Sequence, residues 1–372
     1  MENKTTKKVL KIVLCVLLGI VVLCAGYVGY YTASYKRIGD KKLNVEQGDS
    51  QSGLFTSTRY SLLSWNVGFG AYSADYSFFM DGGKHSRALS EDAVRKNLNG
   101  VIKTLSDNSA PYGVSNEFRF ICFQEVDYES TRSYGVSERN ILRNAYSQYW
   151  STYAQNYNSP YLLYPLFSPH GANKSGMLTL SKYKIDSANR VELPVESGFA
   201  KYADLDRCLS INRVPVSGGK TLVLINLHLT AYSSKGKIIN DQLKLLLDIC
   251  KAEIEAGNYV ICAGDFNQDL YGNSSEIFGV DGKDFSWAQP FDKSILEGTS
   301  MQLVIPGSED EEKVPSCRNA DAPYEKGKTF VLTVDGFLVS SNIIVDESHV
   351  IDAGFKYSDH NPVCIRFGLA SK

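Results

Sequence analysis

Two stretches, YVICAGDFN at residues 259–267 and YSDHNPVCIRF at residues 357–367, decide how this chain is read. Each joins an apolar run of strand length to a short polar cluster: Asp265 and Asn267 follow one run, and Asp359 and His360 precede the other. The same punctuation recurs along the chain. Asn66 ends SLLSWN, Glu125 follows FRFICFQ, His228 interrupts LVLINLHL, and Asp335 interrupts FVLTVDGFLV. Buried singly, such groups would cost several kcal/mol each. They have to meet one another, a metal or water.

The residue types limit what they can do together. Asn66, Glu125, Asp265, Asn267 and Asp359 offer oxygen ligands, which suit a hard octahedral cation such as Mg2+ or Mn2+. The sequence has no thiolate cluster and no HExxH arrangement, which disfavours structural or protease-type zinc. His228 and His360 are suited to proton transfer and to stabilising a phosphoryl oxyanion, with Asp335 available to orient an imidazole. The inventory is that of a metal-assisted hydrolase. Arg132, Arg318 and Asn319 are candidate substrate contacts, since an arginine fork matches phosphate oxygens. For Arg132 a surface ion pair is the alternative.

In order along the chain, SWN, FQEVD, INLHL, AGDFN, VDGFLVS and YSDHNPV resemble the endonuclease/exonuclease/phosphatase family, the DNase I-like phosphoesterases. The resemblance covers about Arg59 to Phe367 and implies a four-layer sandwich of two packed mixed β-sheets flanked by helices, with the site at one end of the sheets. By position it implies Asn66 and Glu125 as metal ligands or orienters, Glu125 the most direct, and Asp359 as a second metal-side carboxylate, with Asp265 aligning or deprotonating the attacking water. Asn267 would hold that water and a phosphate oxygen. His360, oriented by Asp335, would act as base or phosphate-stabilising imidazole, and His228 as a donor to the phosphate or leaving oxygen. Two departures stand out. Gly336 replaces a bulky aromatic found in many members, which implies a more open wall beside Asp335, and residues 67–89 form a long insertion. That insertion reads either as a substrate-selecting loop or as surface decoration.

Around these motifs the fold class reads as α/β (α+β). Strands are expected at Tyr60 to Asn66, Phe118 to Phe123, Met177 to Ser181, Leu222 to Leu229, Tyr259 to Ala263, Thr329 to Val339 and Pro362 to Phe367. Helical spacing marks Ser90 to Leu105, Glu138 to Tyr149 and Ile238 to Glu255. Upstream, Ile12 to Tyr35 carries no charge and as a helix exceeds the roughly 30 Å of bilayer hydrocarbon. Four domains of organisation follow: a basic stub at 1–11, a transmembrane signal anchor at 12–35, a polar linker at 36–58 and a catalytic domain at 59–368. A cleaved signal peptide and a core helix are the alternatives for the apolar run. Tyr27, Tyr30, Tyr31 and Tyr35 gather at its downstream end, as aromatic rings do at a membrane interface. Lysines and arginines flank the run equally, so the form of the chain, a short stub before one span and a large domain after it, gives the expected extracytoplasmic placement.

The formal net charge of −2 conceals eight Lys/Arg within residues 1–44, leaving the remainder at −8. A polybasic nucleic-acid binder is therefore disfavoured. The eight cysteines show no close pairing and read as free, mostly buried thiols. The expected partners are a phosphate-ester substrate (nucleic acid, lipid headgroup or small ester) and the lipid bilayer, with no obligate protein partner. A noncatalytic phosphate-binding module on the same fold is the alternative function.

Overall fold

The computed structural model of the chain describes residues 4–196, 205–231, 237–282, 287 and 289–371. In chain order its strands are β1 (Lys41–Lys42), β2 (Val45–Glu46), β3 (Arg59–Asn66), β4 (Phe120–Asp127), β5 (Trp150–Asn158), β6 (Lys174–Ser181), β7 (Ser187–Glu192), β8 (Cys208–Val216), β9 (Lys220–His228), β10 (Tyr259–Asp265), β11 (Met301–Val304), β12 (Cys317–Arg318), β13 (Val331–Leu332), β14 (Asp335–Ser340), β15 (Ile343–Val350) and β16 (Val363–Leu369). The α-helices are α1 (Lys4–Ser34), α2 (Glu91–Tyr112), α3 (Glu138–Ala145), α4 (Lys237–Glu255) and α5 (Ser274–Phe278).

Two seven-stranded sheets face each other, in the orders β1-β7-β8-β9-β10-β14-β11 and β15-β16-β3-β4-β6-β5-β2. Each holds one parallel pair, β3 with β4 and β9 with β10, and each pair is joined by a crossover helix, α2 and α4 respectively. Strand alternation divides the apolar residues between layers. Leu62, Phe120 and Cys122 meet Leu222, Leu224 and Ile261 between the sheets. Leu63, Ile121 and Phe123 pack outward under α2, while Val223, Ile225 and Val260 pack outward under α4. Ser90 caps α2 by accepting from Ala93 N at 3.0 Å, with Glu91 and Asp92 in its first turn.

Both parallel pairs end their strands at the same edge of the sandwich, so Asn66, Glu125, His228 and Asp265 are delivered to one place. Register enforces this: Asp265 lies opposite His228 on one side and Asp335 on the other. Gly264 permits that approach. Its φ is +148°, and a Cβ there would stand 1.9 Å from Leu227 O. Gly264→Ala is expected to destabilise the chain by about 3 kcal/mol or more, and thermal unfolding should show a melting point at least about 5 °C lower. An unchanged melting point would mean that β9 and β10 can separate without cost.

Several expectations need adjustment. The stretch 36–58 is not wholly a tether, because β1 pairs with β7 and β2 with β5, and Leu43 and Leu54 are buried. The few apolar residues in that polar stretch reach the core, and the backbone between them closes an edge of each sheet. Thr329 to Val339 is two strands rather than one: β13 leaves to pair with β12. The expected opening beside Gly336 is filled, since a Cβ there would meet Leu270 Cδ1 at 2.6 Å. The described thiols are unpaired, with Cys15 and Cys24 exposed on α1 and the others buried.

Candidate active site

Glu125 reaches the sheet edge through a local irregularity. The register between β4 and β6 slips between Phe123 and Val126, and Glu125 takes a φ of +52°. A bulge of this kind re-aims one side chain out of the alternating pattern. Asn267 has the same φ one turn beyond β10. Left-handed backbone costs a non-glycine residue about 1–2 kcal/mol, and its occurrence at two polar residues beside one cleft is strain held where side chains must be aimed.

Asn66 Nδ2 bridges Glu125 Oε1 at 3.2 Å and Asp265 Oδ2 at 3.1 Å, and its Oδ1 accepts from Gly68 N at 3.0 Å. The amide oxygen thus faces the Gly68 N–H while the amide nitrogen holds two carboxylates in place, the geometry of an orienting residue. Asp265 Oδ1 accepts from Asn267 N at 2.8 Å, and Asn267 Nδ2 donates to Leu229 O. His360 Nδ1 lies 2.7 Å from Asp335 Oδ2, an oxygen that also accepts from Ser316 Oγ at 2.8 Å. His360 Nε2 faces Asp265 Oδ2 at 3.8 Å, and His228 Nε2 faces the same oxygen at 3.6 Å. Asp359 is fixed through Ser358, whose Oγ donates to Asn66 O at 2.7 Å.

Burial and neighbouring charge drive the two imidazoles apart. Burial alone would lower the pKa of His360, but the Asp335 carboxylate outweighs it, aided by Cys317 and Asp359, and holds the ring well above its ordinary value. His228 is pushed well below the ordinary value by burial and then by Arg207, His360 and Arg132. The two rings are thus pushed in opposite directions, His360 toward its charged form and His228 toward its neutral one. Burial lifts Asp265 to about 7, against the pull of the His360 charge and with a push from Asp335. Asp359 is also raised, by burial first and, against His360, by Glu125.

Glu125, His228, Asp265, Asn267, Asp359 and His360 line one cleft of about 210 Å³. Arg132, Arg318 and Asn319 line it too, and most of their polar atoms are engaged, Arg318 Nε having no hydrogen-bond partner among the described residues. Arg132 forms a bidentate pair with the fully buried Asp127, at 3.0 and 2.8 Å, and lies over the Phe69 ring at 3.8 Å. The alternative of a surface ion pair gives way to a buried one. Arg318 spends both terminal nitrogens on four main-chain carbonyls, those of Asn319, Ala322, Ser73 and Tyr76. It ties the 67–89 insertion to β12. The Asn319 amide lies between Asp321 and Trp287. That insertion is no decoration: Phe69, Tyr72, Phe78, Met80 and Asp81 form a cleft wall.

Other residues at the site gave little warning. Cys317 Sγ is 3.5 Å from His360 Nε2, and Arg207, which donates to His228 O, lines the cleft from the start of β8. Neither follows a legible apolar run. Ser358 and Ser316 sit beside motif residues, where a hydroxyl able to brace a buried carboxylate was the available signal.

The ligand atoms of Asp265, Asp335 and His360 all lie within 4.8 Å of one another. His360 Nδ1 already faces Asp335 at 2.7 Å, while its Nε2 stands 3.8 Å from Asp265, beyond hydrogen-bond distance. Among the carboxylates lining the cleft, Glu125, Asp359 and Asp265 offer oxygen donors to a hard cation. Three carboxylates converging on one cleft, with one neutral amide between two of them, fit a divalent ion by donor chemistry.

A helix–sheet–sheet–helix sandwich with carboxylates, amides and two imidazoles at one edge defines a phosphoesterase fold. The profile of the Endonuclease/Exonuclease/phosphatase family matches residues 63–360. The chain belongs to that family, whose enzymes are divalent-metal-dependent hydrolases of phosphate esters. Similar solved structures include endonuclease/exonuclease/phosphatase family proteins from three bacteria. The Leptotrichia buccalis protein has TM-score 0.52 at 13% identity, covering 83% of this chain and 100% of that one. The Beutenbergia cavernae protein has TM-score 0.51 at 15% identity, covering 84% and 72%. The Bacteroides thetaiotaomicron protein has TM-score 0.51 at 13% identity, covering 84% and 99%. No curated protein sequence matches the chain. At these identities the likeness is one of fold.

Proposed function

We propose that this chain is a membrane-held, divalent-metal-dependent phosphoesterase that hydrolyses a phosphodiester or phosphomonoester by attack of water. The observation that carries the reading is the convergence of two imidazoles on one oxygen of a buried Asp265, His228 Nε2 at 3.6 Å and His360 Nε2 at 3.8 Å, with His360 held from behind by Asp335 and the two rings pushed in opposite directions. Titratable groups pushed apart in this way divide acid from base at a shared centre. Asp265, lifted toward neutrality, accepts the proton of the attacking water, and Asn267 helps hold that water. His360, kept cationic by Asp335, donates to a phosphoryl oxygen as charge develops there. His228 donates to the phosphate or the leaving oxygen. Glu125 and Asp359, with Asp265 across the Asn66 amide, would hold Mg2+ or Mn2+, which when bound neutralises phosphate charge. Arg132 acts through its field and through the wall it braces. Asn319 and Arg318 set the shape of the substrate wall.

Helix α1 supports the membrane assignment: it has 31 residues, a mean hydropathy of 2.8 in its most apolar stretch, and none of that stretch buried within the protein. Its position before a large domain supports a signal anchor with that domain outside the cytoplasm. The test is hydrolysis of bis-nitrophenyl phosphate by the full chain with Mg2+ or Mn2+, with and without EDTA. Chelation is expected to lower turnover by about 10² or more. Turnover that survives chelation, or none with any divalent ion, would favour the noncatalytic binding module.

A further inference from the structure

The loop Tyr161 to Phe167, sequence YLLYPLF, leaves its apolar side chains in the open: Tyr164 is 63% exposed, Leu166 75% and Phe167 fully. Such a cluster on a soluble surface marks a docking site. Its position names the occupant. The Tyr27 hydroxyl on α1 donates to Tyr161 O at 3.2 Å and accepts from Leu163 N at 3.1 Å. The last charge before the span is Lys11, so Tyr27 lies about 24 Å along the helix from it. That is short of the roughly 30 Å of hydrocarbon a span must cross. Counted from Lys11, the loop backbone bonded to Tyr27 therefore lies within about the last 6 Å of the hydrocarbon that α1 crosses, beside the cluster of α1 tyrosines. Two further contacts keep this end of α1 against the domain: Tyr35 donates to Asp206 at 3.2 Å, and Arg37 pairs with Glu192 at 3.0 Å.

The ridge is continuous with the cleft. The Phe79 ring lies 5.7 Å from that of Tyr164 and 5.8 Å from that of His170, and its neighbours Phe78 and Met80 line the cleft wall, Met80 being 55% exposed. Whatever holds the loop thereby sets the height of the cleft mouth. We propose that the Tyr161–Phe167 loop inserts into the interface of the bilayer crossed by α1 and presents the cleft to phosphate esters carried on lipid headgroups. This rests on the phosphoesterase reading above and names its substrate class. In the reaction water adds its oxygen to phosphorus, one ester P–O bond breaks, and the leaving alcohol oxygen takes a proton, giving a phosphomonoester from a phosphodiester. An aromatic and leucine loop gains by burial in the interface, and a charge placed there opposes it.

The test uses the full chain in nanodiscs of equimolar phosphatidylcholine and phosphatidylglycerol, with Mn2+ present. Phe167→Trp, compared with the parent and its three native tryptophans, is expected to add fluorescence that brominated phosphatidylcholine quenches. Paired Leu166→Asp and Phe167→Asp substitutions are expected to lower release of phosphorylated headgroups roughly tenfold, while hydrolysis of soluble bis-nitrophenyl phosphate stays within about twofold of the parent. Absence of added quenching would overturn insertion and assign the ridge to a protein partner. Lipid hydrolysis indifferent to the paired substitutions, or a parent that cleaves the soluble ester but no bilayer ester, would overturn the substrate assignment. A parent that cleaves neither ester counts against the phosphoesterase reading itself, and quenching still decides whether the loop inserts.

Discussion

Replacing His360 by alanine should lower turnover by about 10² to 10⁴ and leave the KM for bis-nitrophenyl phosphate within about threefold. The ring is the cationic donor nearest Asp265 and is held by Asp335 at 2.7 Å. Its charge is worth most when the phosphoryl oxygens gain charge, so the loss falls on kcat. Alanine also strands Asp335, which is fully buried, has one oxygen without a hydrogen-bond partner among the described residues, and would keep only Ser316 on the other. Breaking a buried ion pair in this way costs about 3–5 kcal/mol, so alanine alone confounds chemistry with folding. His360→Asn separates them: its Nδ2 falls near the position of the imidazole Nδ1, retaining a donor to Asp335 without the charge. Asparagine is expected to be as inactive as alanine yet to melt closer to the parent. Parental turnover in either variant would remove His360 from the chemistry.

The motif strands were legible because each is a buried run closed by a group that apolar packing cannot satisfy. Sequence placed β3, β4, β6, β9, β10 and β16 because their hydrophobic runs are nearly continuous. It passed over β5, whose WSTYAQNYN buries Ser151, Thr152 and Asn156 along with Trp150 and Ala154. There Thr152 Oγ1 donates across the sheets to Asn212 Oδ1 at 2.5 Å, while Asn156 Nδ2 has no hydrogen-bond partner among the described residues. It passed over β8 for a similar reason, with Asn212, Arg213 and Pro215 breaking the apolar pattern. At the site, sequence identified which residue types collect but not their orientation. Asn66 is an example: type alone allows ligand or orienter, and sequence does not show that its nitrogen meets two carboxylates and its oxygen the Gly68 N–H. Arg132 and Arg318 show the same limit, because a fork that can hold phosphate can equally hold a buried carboxylate or four carbonyls.

Glu125→Gln should remove most of the metal response while leaving the metal-free fold intact. The residue sits at a bulge in a left-handed conformation that glutamine can occupy at the same cost, and glutamine can still accept from Asn66 through Oε1. Loss of the charge also relieves Asp359, whose carboxyl the Glu125 charge pushes upward. Apo stability is therefore expected within about 1 kcal/mol of the parent, on the higher side if the two differ. The parent should gain about 2.7 kcal/mol at a Mn2+ concentration a hundredfold above its Kd, read as a rise in melting temperature. In Glu125→Gln most of that rise should vanish, and turnover should fall by about 10² or more. Because stability without metal and stability gained from metal are measured on the same protein, a structural role for Glu125 is distinguishable from a ligand role. A collapse of the metal-free melting point would make Glu125 a brace for the β4 bulge. An undiminished Mn2+ response would leave the cation to Asp265 and Asp359 without Glu125.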